Sequence, residues 1–118
     1  MDDDMSIRSL LQATLQNMGF GKIETAQHGV QAMKIINGSA THFDFIICDW
    51  MMPKMDGLAF LKNVRAMKYE TCFIMLTAKT GEADVRSAMK EGLDGYITKP
   101  FDPIRLKRRL ETFAQEHF

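Results

Sequence analysis

Side chains suited to phosphoryl and metal chemistry stand at the ends of apolar runs. Asp49 follows Phe-Ile-Ile-Cys, Thr77 follows Cys-Phe-Ile-Met-Leu, and Lys99 follows Gly-Tyr-Ile-Thr. Asp2 and Asp3 come just before the first stretch with helical spacing. Carboxylates packed together repel one another unless a cation compensates, and Mg²⁺ prefers oxygen ligands. This set predicts a carboxylate that attacks phosphorus, while the cation, the hydroxyl and the ammonium stabilise charge on the phosphoryl oxygens.

Each of these residues also has an ordinary structural explanation. An acidic run before a helix is typical of an N-cap or of a solvated surface. Thr77 could cap the next helix, and Lys99 could simply end a strand before Pro100. Asp49 is harder to explain in this way, because a carboxylate directly after four apolar residues has few structural reasons to be there. The prediction therefore depends on the combination and not on any single residue.

The elements that position these residues alternate along the chain. Apolar spacing predicts helices over 5–18, 29–36, 58–67, 82–91 and 103–115, and strands over 22–26, 43–48, 72–76 and 95–98. Gly19, Gly38 and Gly92 supply helix ends. Strand and helix alternation with short connections predicts a parallel sheet that has helices on both faces. Ligands of such sheets bind beyond the carboxyl ends of the strands, where Asp49, Thr77 and Lys99 stand.

Composition limits the class of protein. A chain of 118 residues with 46% hydrophobic residues is expected to form a single domain over 1–118. Fifteen basic and fifteen acidic residues give no net charge, which argues against a nucleic-acid surface. No apolar run is long enough to insert into a membrane, and the acidic start does not resemble a secretory signal. Cys48 and Cys72 lie in apolar runs, which predicts buried free thiols and a cytoplasmic location.

Three stretches resemble the signatures of response-regulator receiver domains. Residues 47–57, Ile-Cys-Asp-Trp-Met-Met-Pro-Lys-Met-Asp-Gly, resemble the phosphoacceptor loop of that family. Residues 76–78 and 98–101 resemble its other two signatures, in the same order. Asp2-Asp3 with the following Ile7-Arg8 and Leu11 resembles its paired acids and first helix. Trp50 and Tyr96 are similar to residues of the chemotaxis-type, CheY-like members.

The resemblance implies a fold and a phosphorylation site. The fold is flavodoxin-like, a doubly wound parallel sheet with strand order 2-1-3-4-5. Asp49 is then the phosphoacceptor, and a histidine kinase is the phosphodonor. Asp3, Asp49 and the backbone carbonyl of Met51 are the implied Mg²⁺ ligands, with Asp2 acting through a water molecule. Lys99 is implied to pair first with the acceptor and then with the phosphoryl group.

The resemblance also implies a switch. Thr77 moves toward the phosphoryl group and Tyr96 turns inward behind it. The surface formed by the fourth helix, fifth strand and fifth helix of the family fold (α4-β5-α5) then changes shape. A downstream protein reads that surface, and in chemotaxis-type signalling a flagellar switch component is the usual target. The domain is not otherwise an enzyme, since it catalyses only its own phosphorylation and dephosphorylation.

One departure from the family pattern concerns the first strand. Receivers carry about five apolar residues immediately before the paired acids, whereas only Met1 precedes Asp2 here. Strand 1 is therefore expected to be largely missing. Three explanations of the missing strand remain open. They are a truncated start, a strand supplied by another chain or by a strand-exchanged homodimer, and a rearranged sheet. In each case we expect a weakened metal site and poor phosphorylation of this chain.

Two other functions compete with the phosphoacceptor switch. The absent strand is compatible with a receiver-like scaffold that binds its partner without phosphorylation. It is also compatible with a strand-exchanged oligomer that has an impaired metal site. A haloacid-dehalogenase-type phosphatase also uses a strand-end aspartate, but it needs a second acid two residues later. Met51 occupies that position, which argues against the phosphatase.

Overall fold

Helices and strands alternate along the chain. The computed structural model describes residues 5–20, 23–38, 43–50, 56–77, 82–98 and 102–117, with backbone alone for 77, 82–84 and 117. The predicted α/β class is confirmed. None of the helices in these ranges is both long and apolar enough to span a membrane. The elements in them are α1 (Met5–Asn17), α2 (Gly29–Gly38), β1 (Phe45–Asp49), α3 (Gly57–Ala66), β2 (Cys72–Thr77), α4 (Glu82–Lys90), β3 (Gly95–Thr98) and α5 (Pro103–His117).

The three strands form one parallel sheet that is covered on both faces. Their order is β1-β2-β3, and β2 pairs with both neighbours. Phe73 and Met75 of β2 pack into a layer with α2, α3 and α4, whereas Ile74 and Leu76 pack with α1 and α5. All four side chains are fully buried. Two-sided burial explains why β2 is a continuous apolar run and not an alternating one.

Helix α5 fixes the outer strand β3 to the sheet. Leu106, Leu110 and Phe113 recur at helical spacing and are buried against the sheet. A Cβ atom at Gly95 would overlap the Phe113 ring, so the ring occupies the space that any other residue would need. Gly95 therefore allows α5 to approach β3 closely.

The glycine helix ends predicted at two positions are confirmed. Gly19 and Gly92 both have φ +96°, a conformation that costs glycine far less than other residues. Gly19 follows α1 and Gly92 follows α4, in each case after one intervening residue. Both helices thus end where the sequence pattern predicts.

The strand predicted at 22–26 is wrong for its described residues. Residues 23–26 have no regular secondary structure, and Lys22 lies outside the described ranges. A strand in a parallel sheet needs a hydrogen-bonded neighbour, and residues 23–26 instead line a cavity together with part of β1. Of the family order 2-1-3-4-5, the described residues form the 3-4-5 part. The position of the family's first strand, which is expected to be largely missing, falls before residue 5, outside the described ranges.

Both cysteines are free and buried, as predicted. Burial raises the pKa of the Cys72 thiol to about 12, and the nearby negative charge of Asp94 adds to this effect. Cys72 therefore stays protonated at neutral pH and behaves as a small core residue.

Arg65 ties the end of α3 to the amino end of β2 and to the turn before β3. Its guanidinium donates to the carbonyl oxygens of Tyr69, Thr71 and Gly92 at 2.8–3.1 Å. Nη2 also lies 3.0 Å from the Asp94 carboxylate, which accepts from the backbone N–H of Phe73 at 2.7 Å. The Arg65 and Asp94 side chains are each 24% exposed. The bonds of Arg65 to Tyr69, Thr71 and Asp94 are partly buried, whereas those to the Gly92 carbonyl are exposed. We refer to Arg65, Asp94 and these three carbonyls as the Arg65 bracket.

Replacing Arg65 by Met is expected to lower the free energy of unfolding by about 2–3 kcal/mol, because several partly buried acceptors lose one shared donor. Urea denaturation measures this change. Arg108→Met, on the exposed side of α5, is the matched control and is expected to cost about 0.5 kcal/mol or less. Equal losses in the two variants would contradict a stabilising role of the bracket.

Candidate functional site

The carboxyl ends of the strands meet at one edge of the sheet. Asp49 is the last residue of β1 and pairs with Leu76, while Thr77 is the last residue of β2 and pairs with Thr98. Neighbouring strands lie about 4.8 Å apart. The backbone therefore brings Asp49 and Thr77 to adjacent positions on this edge, and Lys99 follows directly after Thr98 in the sequence.

Asp49 is a buried acid. It is 5% exposed and is the only buried carboxylate in the described part of the chain. Its sequence neighbours Cys48 and Trp50 and its strand partner Leu76 are buried as well. Burying a carboxylate costs free energy unless a partner or a ligand compensates. A carboxylate at this depth and on this edge is therefore a strong candidate for a functional group.

Hydrogen bonds fix the chain on both sides of Asp49. The Trp50 N–H donates to the Leu76 carbonyl at 3.1 Å, which extends the β1–β2 ladder one residue beyond Asp49. The Gly57 N–H donates to the Trp50 carbonyl at 2.8 Å, and the Cys48 thiol donates to the Asp49 carbonyl at 3.2 Å. The Asp49 backbone is thus held by the sheet and by the start of α3.

The start of α3 lies against the Asp49 backbone because residue 57 is a glycine. A Cβ atom at Gly57 would lie 2.7 Å from the Asp49 carbonyl oxygen and 2.7 Å from the Met75 sulfur. Asp56 caps the helix, since its Oδ1 accepts from the Ala59 N–H at 2.8 Å. The packing role of Gly57 is not among the sequence predictions, although the Asp-Gly pair at a helix start is a signal for it.

The geometry agrees with a comparison against protein-family models. Residues 1–111 match the model of the response regulator receiver domain. The chain belongs to the response regulator receiver family. It is therefore a receiver domain of two-component signalling, and the CheY-like fold expected from the sequence is confirmed.

Relatives of this receiver include chemotaxis proteins. It is 39% identical over 113 residues to the chemotaxis protein CheY1 of Helicobacter pylori strain J99, covering 94% of this chain and 90% of that protein. It is 40% identical over 113 residues to a chemotaxis protein CheY homolog of Campylobacter jejuni, covering 94% and 86% of the two chains. These relatives are similar in sequence over almost the whole of the receiver.

Solved structures of CheY proteins have the same fold. Vibrio cholerae CheY4 superposes with a TM-score of 0.84 at 35% identity, covering 95% of this chain and 92% of that one. CheY in the CheX-CheY-BeF3-Mg²⁺ complex of Borrelia burgdorferi superposes with a TM-score of 0.87 at 27% identity, covering 96% and 84%. The phosphoacceptor function expected from the sequence fits this family.

Several predicted site residues of the receiver lie outside the described ranges. They are Asp2, Asp3, Met51 and Lys99, and Thr77 is described by its backbone alone. Within the described residues no group of three His, Cys, Asp or Glu side chains could hold a metal ion. Asp49 supplies the oxygen donor that Mg²⁺ prefers, at the edge where the implied ligands would meet it. The complete ligand set stays a prediction.

Tyr96 of the receiver lies on the outer strand β3 and is 37% exposed. Arg109 of α5 donates from Nη2 to the Tyr96 carbonyl at 3.2 Å, and its guanidinium lies 4.9 Å from the centre of the Phe113 ring. The side chain of Tyr96 thus sits where β3 meets solvent. Its inward turn on phosphorylation remains a prediction.

Gly57→Ala is expected to lower the free energy of unfolding by about 1–3 kcal/mol, because the added methyl group overlaps the Asp49 carbonyl and the Met75 sulfur. Urea denaturation checks this value. Gly38→Ala is the matched control, since a Cβ atom there meets nothing within 4 Å. We expect the control to leave stability unchanged or slightly higher, and a neutral Gly57→Ala would contradict the close approach.

Proposed function

We propose that this chain is a single receiver domain over residues 1–118 whose phosphoacceptor is Asp49. The observation that carries the proposal is the buried Asp49 carboxylate at the carboxyl end of β1, directly beside the end of β2 that bears Thr77. A histidine kinase is the proposed phosphodonor, and the cytoplasm is the proposed location. The match of residues 1–111 to the receiver family supports the assignment.

Phosphorylation makes one bond and breaks another. A carboxylate oxygen of Asp49 attacks the phosphorus of the donor phosphohistidine, and an O–P bond forms as the P–N bond breaks. The electron pair of the broken bond stays on the imidazole, which takes up a proton. Water later hydrolyses the acyl phosphate and restores the carboxylate. The proposed catalysis is limited to these two reactions of the domain itself.

Mg²⁺ is the proposed cofactor. Asp3, Asp49 and the Met51 carbonyl would hold it directly, and Asp2 would hold it through water. When bound, the ion neutralises charge on the phosphoryl oxygens. The buried carboxylate of Asp49 fits a hard cation, and the similar CheY of Borrelia burgdorferi was solved with Mg²⁺. The Asp49 backbone, held by β2 and α3, keeps the acceptor oxygen in place for attack.

Phosphorylation of Asp49 is proposed to change the shape of the surface formed by α4, β3 and α5. Thr77 and Lys99 would bind the new phosphoryl oxygens, and Tyr96 would turn inward in response. A new dianion shifts an existing equilibrium through such differential contacts. Support comes from the exposed apolar side chains on this surface, Met89, Tyr96 and Ile104.

The proposed partner of that surface is a downstream signalling protein, with a flagellar switch component as the first candidate. The relatives named as chemotaxis proteins support this choice. The CheY of Borrelia burgdorferi was solved in a complex with CheX, so a CheX-like protein is a second candidate. Neither a nucleic acid nor a membrane is proposed as a partner.

Incubation with acetyl phosphate and Mg²⁺ is expected to add one phosphoryl group, which intact mass spectrometry detects and hydroxylamine removes. Asp49→Asn is expected to abolish the mass gain, because the amide cannot attack phosphorus. Asp44→Asn, five residues earlier and exposed, is the matched control that keeps it. Labelling of Asp49→Asn at the wild-type level would disprove the assignment.

A further variant, Asp49→Ala, separates the switch from a scaffold. A candidate partner is mixed with phosphorylated wild type and with Asp49→Ala treated in the same way. A switch binds the partner more tightly in the phosphorylated wild type only. Equal binding of both proteins would favour the phosphorylation-independent scaffold.

Magnesium binding is expected to change the fluorescence of Trp50, because this single tryptophan follows Asp49 directly. Asp49→Asn is expected to raise the dissociation constant for Mg²⁺ by about tenfold or more, since it removes a charged oxygen ligand. Asp44→Asn serves again as the control. The same dissociation constant in wild type and Asp49→Asn would exclude Asp49 as a ligand.

A further inference from the structure

Arg109 of α5 contacts both the backbone of β3 and the apolar core. Its Nη2 donates to the Tyr96 carbonyl at 3.2 Å, and its guanidinium lies 4.9 Å from the centre of the Phe113 ring. Phe113 in turn fills the space over Gly95, the residue before Tyr96. Arg109 therefore joins the helix to the backbone of β3 beside a residue that has no side chain.

The Phe113 ring restricts the position of this guanidinium. The ring is buried in the core layer that α1 and α5 form with the sheet. A cation over the face of an aromatic ring is attracted by it. Arg109 is exposed, and the ring limits the positions that its head group can sample. The donor is thus held near the Tyr96 carbonyl by a residue of the core.

The Tyr96 carbonyl also takes part in the pairing of β3 with β2. The Asp94 N–H donates to the Phe73 carbonyl at 3.0 Å, so alternate residues, Asp94 and Tyr96, direct their backbone groups toward β2. In the register of the two strands, the N–H that points at the Tyr96 carbonyl is that of Thr77. The oxygen that Arg109 binds therefore lies beside the end of β2 that is proposed to bind the phosphoryl group.

Neighbouring basic residues of α5 have other surroundings. Lys107 Nζ donates to the Asn17 side chain of α1 at 2.9 Å. Arg108 is exposed and comes one residue before Arg109. Of these three cations, Arg109 is the one whose side-chain hydrogen bond, in the described part of the chain, reaches the outer strand. Arg108 is therefore a matched control for Arg109.

We propose that Arg109 is a positioning residue that couples α5 to the end of β2 through the Tyr96 carbonyl. This inference rests on the proposed function of Asp49 and names a residue that transmits its phosphorylation. A displacement of the Thr77 backbone toward the phosphoryl group changes the position of the Tyr96 carbonyl, because the two are paired in the sheet. Arg109 is bound to the same oxygen and passes the change to α5.

The carbonyl carbon signal of Tyr96 in the unphosphorylated protein tests the contact itself. Arg109→Met keeps an unbranched chain near Phe113 but removes the donor. The signal is expected to move upfield in this variant, because a donor to the oxygen polarises the C=O bond. Arg108→Met removes the same charge one residue away and is expected to leave the signal unchanged.

Amide shifts on phosphorylation test the coupling. Acetyl phosphate with Mg²⁺ is expected to shift the amide signals of Leu110 and Phe113 in wild type and in Arg108→Met. In Arg109→Met these changes are expected to fall to about half or less, since the backbone contact between β3 and α5 is lost. Arg109→Lys keeps a cationic donor and is expected to restore most of the change. A residue that only stabilised the fold would leave the change on phosphorylation intact.

Intact mass spectrometry of each sample separates this inference from the proposed function. A wild type that gains no phosphoryl group disproves the proposed function and the coupling with it. If the wild type is phosphorylated but its α5 signals do not shift, or shift equally in Arg109→Met, the role of Arg109 alone is overturned. An unchanged Tyr96 carbonyl signal in Arg109→Met overturns it as well. If Arg109→Met fails to fold, Arg109→Ala is measured in its place.

Discussion

The pairing of β1 with β2 is the constraint on which the candidate site depends. It sets Asp49 opposite Leu76 and leaves Thr77 one residue farther along the neighbouring strand. Parallel pairing brings both carboxyl ends to one edge, and the helices on either face keep that edge fixed. Burying a carboxylate costs free energy. The apolar layers on both faces of β1 and β2 contribute to the stability of the sheet that holds Asp49.

Two glycines let helices α3 and α5 pack closely against the sheet. Gly57 brings the start of α3 against the Asp49 carbonyl, and Gly95 brings Phe113 of α5 against β3. Both contacts involve space that a larger side chain would occupy. The edge of the sheet that carries Asp49 is thus positioned by close backbone packing as well as by strand pairing.

Sequence patterns predicted the elements that carry strong local signals. The strand at 95–98 and the helix ends at Gly19 and Gly92 follow from apolar periodicity and from glycine conformation. The alternation of elements, together with the receiver signatures, was enough to predict the fold and to place Asp49 and Thr77 at one edge. These are local or topological properties, and the sequence displays them directly.

Other features depend on tertiary contacts, which the apolar periodicity of the sequence does not reveal. Residues 23–26 have the composition of a strand, but whether a strand forms depends on a neighbour to pair with. The Arg65 bracket joins residues up to 29 positions apart, and nothing around Arg65 in the sequence distinguishes it from a solvent-facing arginine. The proposed phosphorylation and Mg²⁺ site would also include Asp2, Asp3, the backbone carbonyl of Met51 and Lys99, which lie outside the described ranges, so their arrangement stays a prediction.

The Arg65 bracket has a mechanical consequence for signalling. It joins the amino end of β2 to the turn before β3, at the edge of the sheet opposite Asp49. Any rearrangement that starts at the acceptor therefore acts on strands that are anchored at their far ends. We expect β2 and β3 to move least at their amino ends, where the Arg65 bracket holds them, and most at the carboxyl edge of the sheet.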